Sequence, residues 1–273
     1  HEELLLLPAL LQPAIPASRP EEPRDAHLHA LDALLEHDLS CDPAFVSPAA
    51  ENEDHIFGGR CYEGEINLTF HKKYLHKEAV KNTPMIKGAA VQKWHIKKKM
   101  SQGEIEYLDV AKFAKENSSP KAEHYLQKRL VMQGITGIDE KWRLKMTMLD
   151  AGIFCGNSVN YILMSDISVR YEYLLALLNS RLLNWYFKIF STNSNVNGYE
   201  VNNLPILKVS KAEQKPFIDL AEKILKITKE EDYLQNSAKQ AKVLDVEHQI
   251  DELVYKLYGL TAEEIKIVEN NGK

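Results

Sequence analysis

The residues from Lys87 to Met100 read KGAAVQKWHIKKKM and set Lys87, Lys93, Lys97, Lys98 and Lys99 around Trp94 and His95. Ammonium groups neutralise phosphates, and an indole ring stacks on bases or wedges between them, so this pattern suits a surface that faces nucleic acid. A solvated charged loop is the plainer reading of the same residues. Farther along, Arg129-Leu130-Val131-Met132-Gln133-Gly134 and Lys141-Trp142-Arg143 supply arginine and glutamine. Those side chains can make paired hydrogen bonds to guanine and adenine edges. Arg129 would equally suit the flank of a buried strand. The stretch STNSNVNGY from Ser191 to Tyr199 is dense in asparagine, so Asn193 and Asn195 can bond phosphates or base edges, or simply end a helix and build a turn.

Other chemistries find less support. Asp42-Pro43-Ala44-Phe45 comes near the Asn/Asp-Pro-Pro-aromatic turn that receives a target amino group in adenine methylation. It fails at Ala44 and has no glycine-rich turn before it to hold S-adenosylmethionine, so it reads as proline-rich linker. Asp139-Glu140-Lys141 and Glu264-Ile265-Lys266 match the acid-x-lysine pair of magnesium-dependent nucleases. Neither follows a clear hairpin, and a nuclease using Asp139 and Lys141 stands as an alternative. His71 and His76, five apart, do not share a helical face as zinc ligands would. Cys41, Cys61 and Cys155 are odd in number and lack any CxxC spacing. They fit neither a disulfide scaffold nor a structural zinc and favour a reducing, cytoplasmic setting.

These groups need a frame. The chain has 273 residues, 44% of them hydrophobic, which excludes wholesale disorder, and its net charge of −5 is uneven. Residues 1–54 hold twelve acids and two bases, leaving 32 bases and 27 acids in residues 55–273, a net of +5. The first part also carries seven of the eleven prolines, with one amphipathic helix expected over Asp25 to Leu39. Its apolar run from Leu4 to Leu11 is cut by Pro8. No membrane crossing and no signal peptide is read from it. Strands are expected over Glu65 to Phe70, Arg129 to Gln133 and Ser158 to Met164. Tyr171 to Phe190 reads as one helix with Ser168 as its cap, since Leu174, Leu175, Leu178, Leu182, Tyr186 and Ile189 share a face. Ser210-Lys211-Ala212-Glu213 and Thr261-Ala262-Glu263-Glu264 have capping-box spacing, although Pro216 threatens to delay the first of these helices by a turn. A further helix is expected from Asp232 to Leu257, ended by Gly259. The whole is a mixed α/β (α+β) arrangement with a C-terminal helical region, divided as 1–54, 55–208 and 209–273.

The order of four segments carries more. YEGEINLTF (Tyr62 to Phe70), RLVMQGITG (Arg129 to Gly137), LLALLNSRLLNWYFKIF (Leu174 to Phe190) followed by the Asn/Gly loop and VNNLPI (Val201 to Ile206), and IDELVYKLYGLTAEEI (Ile250 to Ile265) together resemble one family. It is the TaqI-like specificity (target recognition) domain found C-terminal to N6-adenine methyltransferase domains of type II restriction-modification enzymes, and the resemblance covers roughly residues 61–269. It implies that residues 61–207 read a short word in double-stranded DNA, while the helices after 209 act as scaffold or docking surface. A separate adenine methyltransferase domain or subunit would bind S-adenosylmethionine, extrude the adenine and methylate it, and some members add a magnesium-dependent endonuclease. No cofactor and no catalytic residue are assigned to this chain. On this reading Lys93, Lys97, Lys98 and Lys99 contact phosphates, with Trp94 beside them. Arg129, Gln133, Trp142, Arg143, Asn193 and Asn195 contact bases or grooves. A protein-interaction module built on the 232–257 helix is the remaining alternative.

Overall fold

The computed structural model describes residues 60–77, 83–97, 106–117 and 119–270. The helix expected over 25–39, the Asp42 to Phe45 turn, Lys98 and Lys99 lie outside them.

Two strands organise the fold. β7 (Arg129–Gln133) and β10 (Val159–Leu163) pair antiparallel, flanked by β1 (Cys61–Glu63) on β10 and by β8 (Met146–Leu149) on β7. Both central strands are buried almost throughout, because alternate side chains go to opposite faces and both faces are covered. Leu130, Met132 and Ile162 join the large core shared with the helices, whereas Val131, Val159, Tyr161 and Leu163 join a smaller core with Val91, Leu149 and Cys155.

A second sheet has the order β2 (Leu75–His76), β6 (Glu106–Leu108), β3 (Thr83–Ile86), β9 (Phe154–Cys155), with β3 and β9 parallel. It packs on α1 (Val110–Glu116), which Asp109 caps by accepting from the Lys112 amide. Their core holds Ile66, Tyr74, Met85, Leu108, Phe113 and Phe154. β4 (Val91–Gln92) and β5 (His95–Ile96) form a hairpin.

The chain from Glu65 to Phe70 departs from the expected strand: only Ile66 makes a bridge, to Gly156. Asn67 Oδ1 then accepts from the Thr69 and Phe70 amides and turns the backbone away. The two sheets approach so closely here that a Cβ on Gly64 would stand 2.0 Å from the Gly156 carbonyl oxygen.

The stretch read as one helix forms two, α2 (Tyr171–Leu178) and α3 (Arg181–Phe190), and α2 begins after Arg170 rather than at a Ser168 cap. Asn179 and Ser180 break it with side chains that satisfy backbone. Asn179 exchanges a pair of 3.0 Å bonds with the main chain of Met146, and Ser180 Oγ accepts from the Leu183 amide as the cap of α3. α2 is buried on nearly every side, as its unbroken apolar run requires.

After α4 (Gly198–Asn202) come α5 (Lys211–Thr228), α6 (Ser237–Leu257) and α7 (Ala262–Asn270). Both expected capping boxes form, Ser210 with Glu213 and Thr261 with Glu264. Pro216 sits inside α5 without delaying its start. α6 starts later than Asp232, at Ser237, with Asn236 Oδ1 accepting from the Lys239 amide. Gly259, at φ +70°, ends it. Among the described residues no helix is long and apolar enough to cross a membrane.

Candidate nucleic-acid interface

The hairpin β4–β5 has Lys93 and Trp94 at its two-residue tip, and the tip points into the protein. Trp94 adopts φ 69°, a left-handed conformation that bulky residues rarely occupy. The surroundings hold it there. Its amide donates to the Met146 carbonyl at 2.9 Å, its carbonyl accepts from Thr228 Oγ1 of α5 at 2.9 Å, and its indole N–H donates to Glu247 of α6 at 2.6 Å. Lys93 Nζ lies 2.7 Å from Glu247 and 3.3 Å from the centre of the Trp142 ring, and burial lowers its pKa.

Lys93, Trp94 and Trp142 therefore tie the sheet to α6 instead of presenting a basic, aromatic face to solvent. The sequence places Lys93 and Trp94 in one polar-looking segment, but the two-residue turn between β4 and β5 reverses their direction. Lys93 and Trp142 line a cleft of about 90 Å³ with Lys141, Arg181, Glu247 and Asp251. There Asp251 accepts from the Arg181 amide at 2.8 Å and from its Nε at 3.0 Å. Of the basic segment, Lys97 stands exposed.

Arg129 also lies inside. It is wholly buried in β7, pairs with Glu65, donates to the Ile153 carbonyl and lies 4.8 Å from the Tyr161 ring centre. Glu65 completes the arrangement by accepting from the Cys155 amide at 2.9 Å. A guanidinium in a central strand of a sheet covered on both faces needs such a partner to offset the cost of its desolvation. This arginine holds the junction of the two sheets and does not reach a groove.

Arg143 organises the surface that does face outward. Its side chain, 1% exposed, donates from Nε to Thr136 Oγ1 at 2.7 Å and from Nη2 to Ser191 Oγ at 3.3 Å, the Asn193 carbonyl at 2.7 Å and the Asn195 carbonyl at 3.2 Å. One buried guanidinium thus fastens the loop after β7, residues 134–142, to the loop after α3, residues 191–197. Asn184 of α3 secures the far end of the first loop: Oδ1 accepts from the Arg143 and Leu144 amides at 2.8 and 3.1 Å, and Nδ2 donates to the Lys141 carbonyl at 2.9 Å. Main-chain bonds lace the two loops, Thr136 to Ser194 at 2.8 Å and Val196 to Gly134 at 2.9 Å, with a bridge between Ile135 and Asn195. Asn160 of β10 donates to the Val196 carbonyl beneath them.

Asn193 and Asn195 are exposed on this paired edge, and Asn193 Oδ1 accepts from the Asn195 amide at 2.8 Å. Gln133 is half-buried at the end of β7, where its Oε1 has no hydrogen-bond partner among the described residues. Ile135 and Ile138 project from the first loop and Tyr199 from the first turn of α4 beside the second, 54%, 51% and 64% exposed. Sequence reading passed over these three, because an isolated apolar residue in a polar loop carries no periodicity. Thr136, Ser191 and Asn184 were missed for a different reason: their importance comes only from the guanidinium they surround. Asp139 and Lys141 are exposed, and Glu140 pairs with Lys145 at 2.9 Å. Among the described residues no three His, Cys, Asp or Glu side chains gather as a metal site would need.

Comparison with known proteins bears on this edge. The family of TaqI-like C-terminal specificity domains matches residues 83–206, a span that contains both loops and the β4–β5 hairpin. The structure of the type IIL restriction-modification enzyme MmeI in complex with DNA aligns with a TM-score of 0.53 at 11% identity, over 78% of this chain and 35% of that one. The type IIG restriction endonuclease BpuSI aligns with a TM-score of 0.39 at 9% identity, over 86% of this chain and 33% of that one. The chain therefore spans about a third of the length of these two structures. No curated protein matches it. Residues 83–206 thus resemble a TaqI-like C-terminal specificity domain, and the fold is similar to that of part of MmeI.

Proposed function

We propose that this chain reads a short word in double-stranded DNA on behalf of a restriction-modification enzyme, and that the paired loops 134–142 and 191–199 are its reading edge. The observation that carries the reading is the Arg143 fastening. A buried guanidinium bonded to four loop acceptors holds the two connecting segments in a fixed relation to each other, which reading bases at hydrogen-bond distance requires. Asn193, Asn195 and Gln133 supply polar contacts to base edges. Lys97, with Lys98 and Lys99, supplies phosphate contacts, and the +5 balance of residues 55–273 favours approach to a polyanion. In this reading an N6-adenine methyltransferase domain or subunit binds S-adenosylmethionine and receives the extruded adenine, and magnesium belongs to a nuclease part where one is present. The setting is the cytoplasm, beside the DNA.

Titration of the chain into a labelled mixed-sequence duplex at several salt concentrations tests this. Affinity should fall steeply as salt rises, with a logarithmic slope of about −0.9 for each phosphate neutralised, and a randomised duplex library should yield one preferred word. Absence of binding at low salt would overturn the reading.

A further inference from the structure

Most of the reading edge is uncharged, its charges being confined to Asp139, Glu140 and Lys141 at the far end of the first loop. From Gln133 to Ile138 and from Ser191 to Tyr199 there is no lysine, arginine, aspartate or glutamate, so these segments are not built to grip phosphates. What they offer outward besides amides and hydroxyls is apolar: Ile135 and Ile138 each show about half their surface. This exposure is built in. Ile135 is bridged to Asn195, and the next residue, Thr136, is bonded through its amide to Ser194 at 2.8 Å and through its hydroxyl to Arg143 at 2.7 Å. The 137–140 turn that carries Ile138 is closed by a bond from the Glu140 amide to the Gly137 carbonyl at 3.1 Å. A β-branched side chain on a fixed backbone has few rotamers with which to retreat.

On the major-groove edge, the feature that rewards an apolar tip set among hydrogen-bonding groups is the 5-methyl group of thymine. We infer that Ile135 and Ile138 are specificity-determining residues that read thymine methyl groups, next to the polar contacts of Asn193 and Asn195. This inference rests on the DNA-reading function proposed above.

The full chain, with the preferred duplex taken from a randomised library, provides the test. Each thymine is replaced in turn by deoxyuridine, which removes the methyl group and nothing else. For the wild-type chain at least one such replacement should weaken binding by about fourfold, the value for one methyl taken fully out of water. The variant Ile135→Ala/Ile138→Ala should bind the thymine duplex more weakly and bind thymine and deoxyuridine duplexes equally. Because both side chains are exposed, the variant keeps the wild-type unfolding transition, and Ile138→Ala alone separates the two residues. Wild-type affinity unchanged by every replacement would overturn the inference and leave the DNA-reading function standing. So would a double variant that still distinguishes thymine from deoxyuridine. A variant that loses affinity equally for preferred and random duplexes would also overturn it, pointing to contact with another part of the enzyme. A chain that selects no sequence at all would overturn the function and the inference together.

Discussion

Arg143→Ala should loosen the reading edge before it unfolds the protein. The guanidinium is buried and serves Thr136 Oγ1, Ser191 Oγ and the carbonyls of Asn193 and Asn195. On truncation the two carbonyls belong to exposed residues and can take up water, whereas Thr136 and Ser191 are buried and lose a donor. A buried group left without its partner costs about 1–3 kcal/mol, so two such groups cost about 2–6. The packing of the guanidinium against Phe187, 5.3 Å from the ring centre, is lost as well. Release of a desolvated charge offsets part of this. A net loss of about 3 kcal/mol is expected, a large share of the roughly 5–15 kcal/mol that holds a typical domain. Urea unfolding measures the total, and amide hydrogen exchange locates it. The Thr136 and Val196 amides, which lace the loops, should exchange faster in the variant by more than those of β10. Arg143→Lys keeps the charge but not the planar set of donors and should recover less than half of the loss. A variant within about 0.5 kcal/mol of wild type, the range of an ordinary surface substitution, with loop exchange unchanged, would refute the fastening role.

Other substitutions probe the frame. Burial lifts the Asp251 carboxyl to about 6 from an ordinary 3.8. The folded chain then keeps this proton up to about pH 6 while the unfolded chain releases it near pH 4, so stability falls as pH rises through that window, by at most about 3 kcal/mol. Asp251→Asn should flatten that slope in thermal melts taken between pH 4 and 6. Glu65→Gln leaves Arg129 charged and buried without its counter-ion and should cost about 3–5 kcal/mol in chemical unfolding. The joint change Glu65→Leu/Arg129→Met, which removes both charges, should recover most of that loss. Gly64→Ala would drive a methyl group into the Gly156 carbonyl, and a far-UV spectrum with a lowered melting temperature should show the two sheets forced apart.

What could be read from the residues divides along physical lines. β7, β10, the starts of α5 and α7 and the end of α6 were legible because apolar runs, capping boxes and Gly259 act over a few neighbours. The break between α2 and α3 was not, since Asn179 ends the helix by bonding Met146, thirty-three positions away. The same distinction runs through the candidate site. Asn193 and Asn195 are exposed on the paired loops, as the asparagine-rich stretch suggested, and the order of segments pointed to the family whose model matches residues 83–206. Arg129 and Lys93 were drawn by their charge to the wrong side of the fold. Charge alone does not say whether a carboxylate waits inside, and Glu65 and Glu247 lie 64 and 154 positions away in sequence. Ile135 and Ile138 went unnoticed because an exposed isoleucine is informative only once its backbone is known to be pinned.

The large core joins Leu130 and Met132 of β7 to Phe217 and Ile224 of α5, Val246 and Val254 of α6 and Val268 of α7, and β1, which borders β10, also lies outside residues 83–206. The segment that resembles the family is thus not a unit that can be cut out and transplanted. A graft that follows its boundaries would carry half of a hydrophobic interior into a host unable to complete it. Retargeting would have to proceed by exchanging side chains on the two fastened loops, with Arg143, Thr136, Ser191 and Asn184 left in place as the fixed mount on which new words are set.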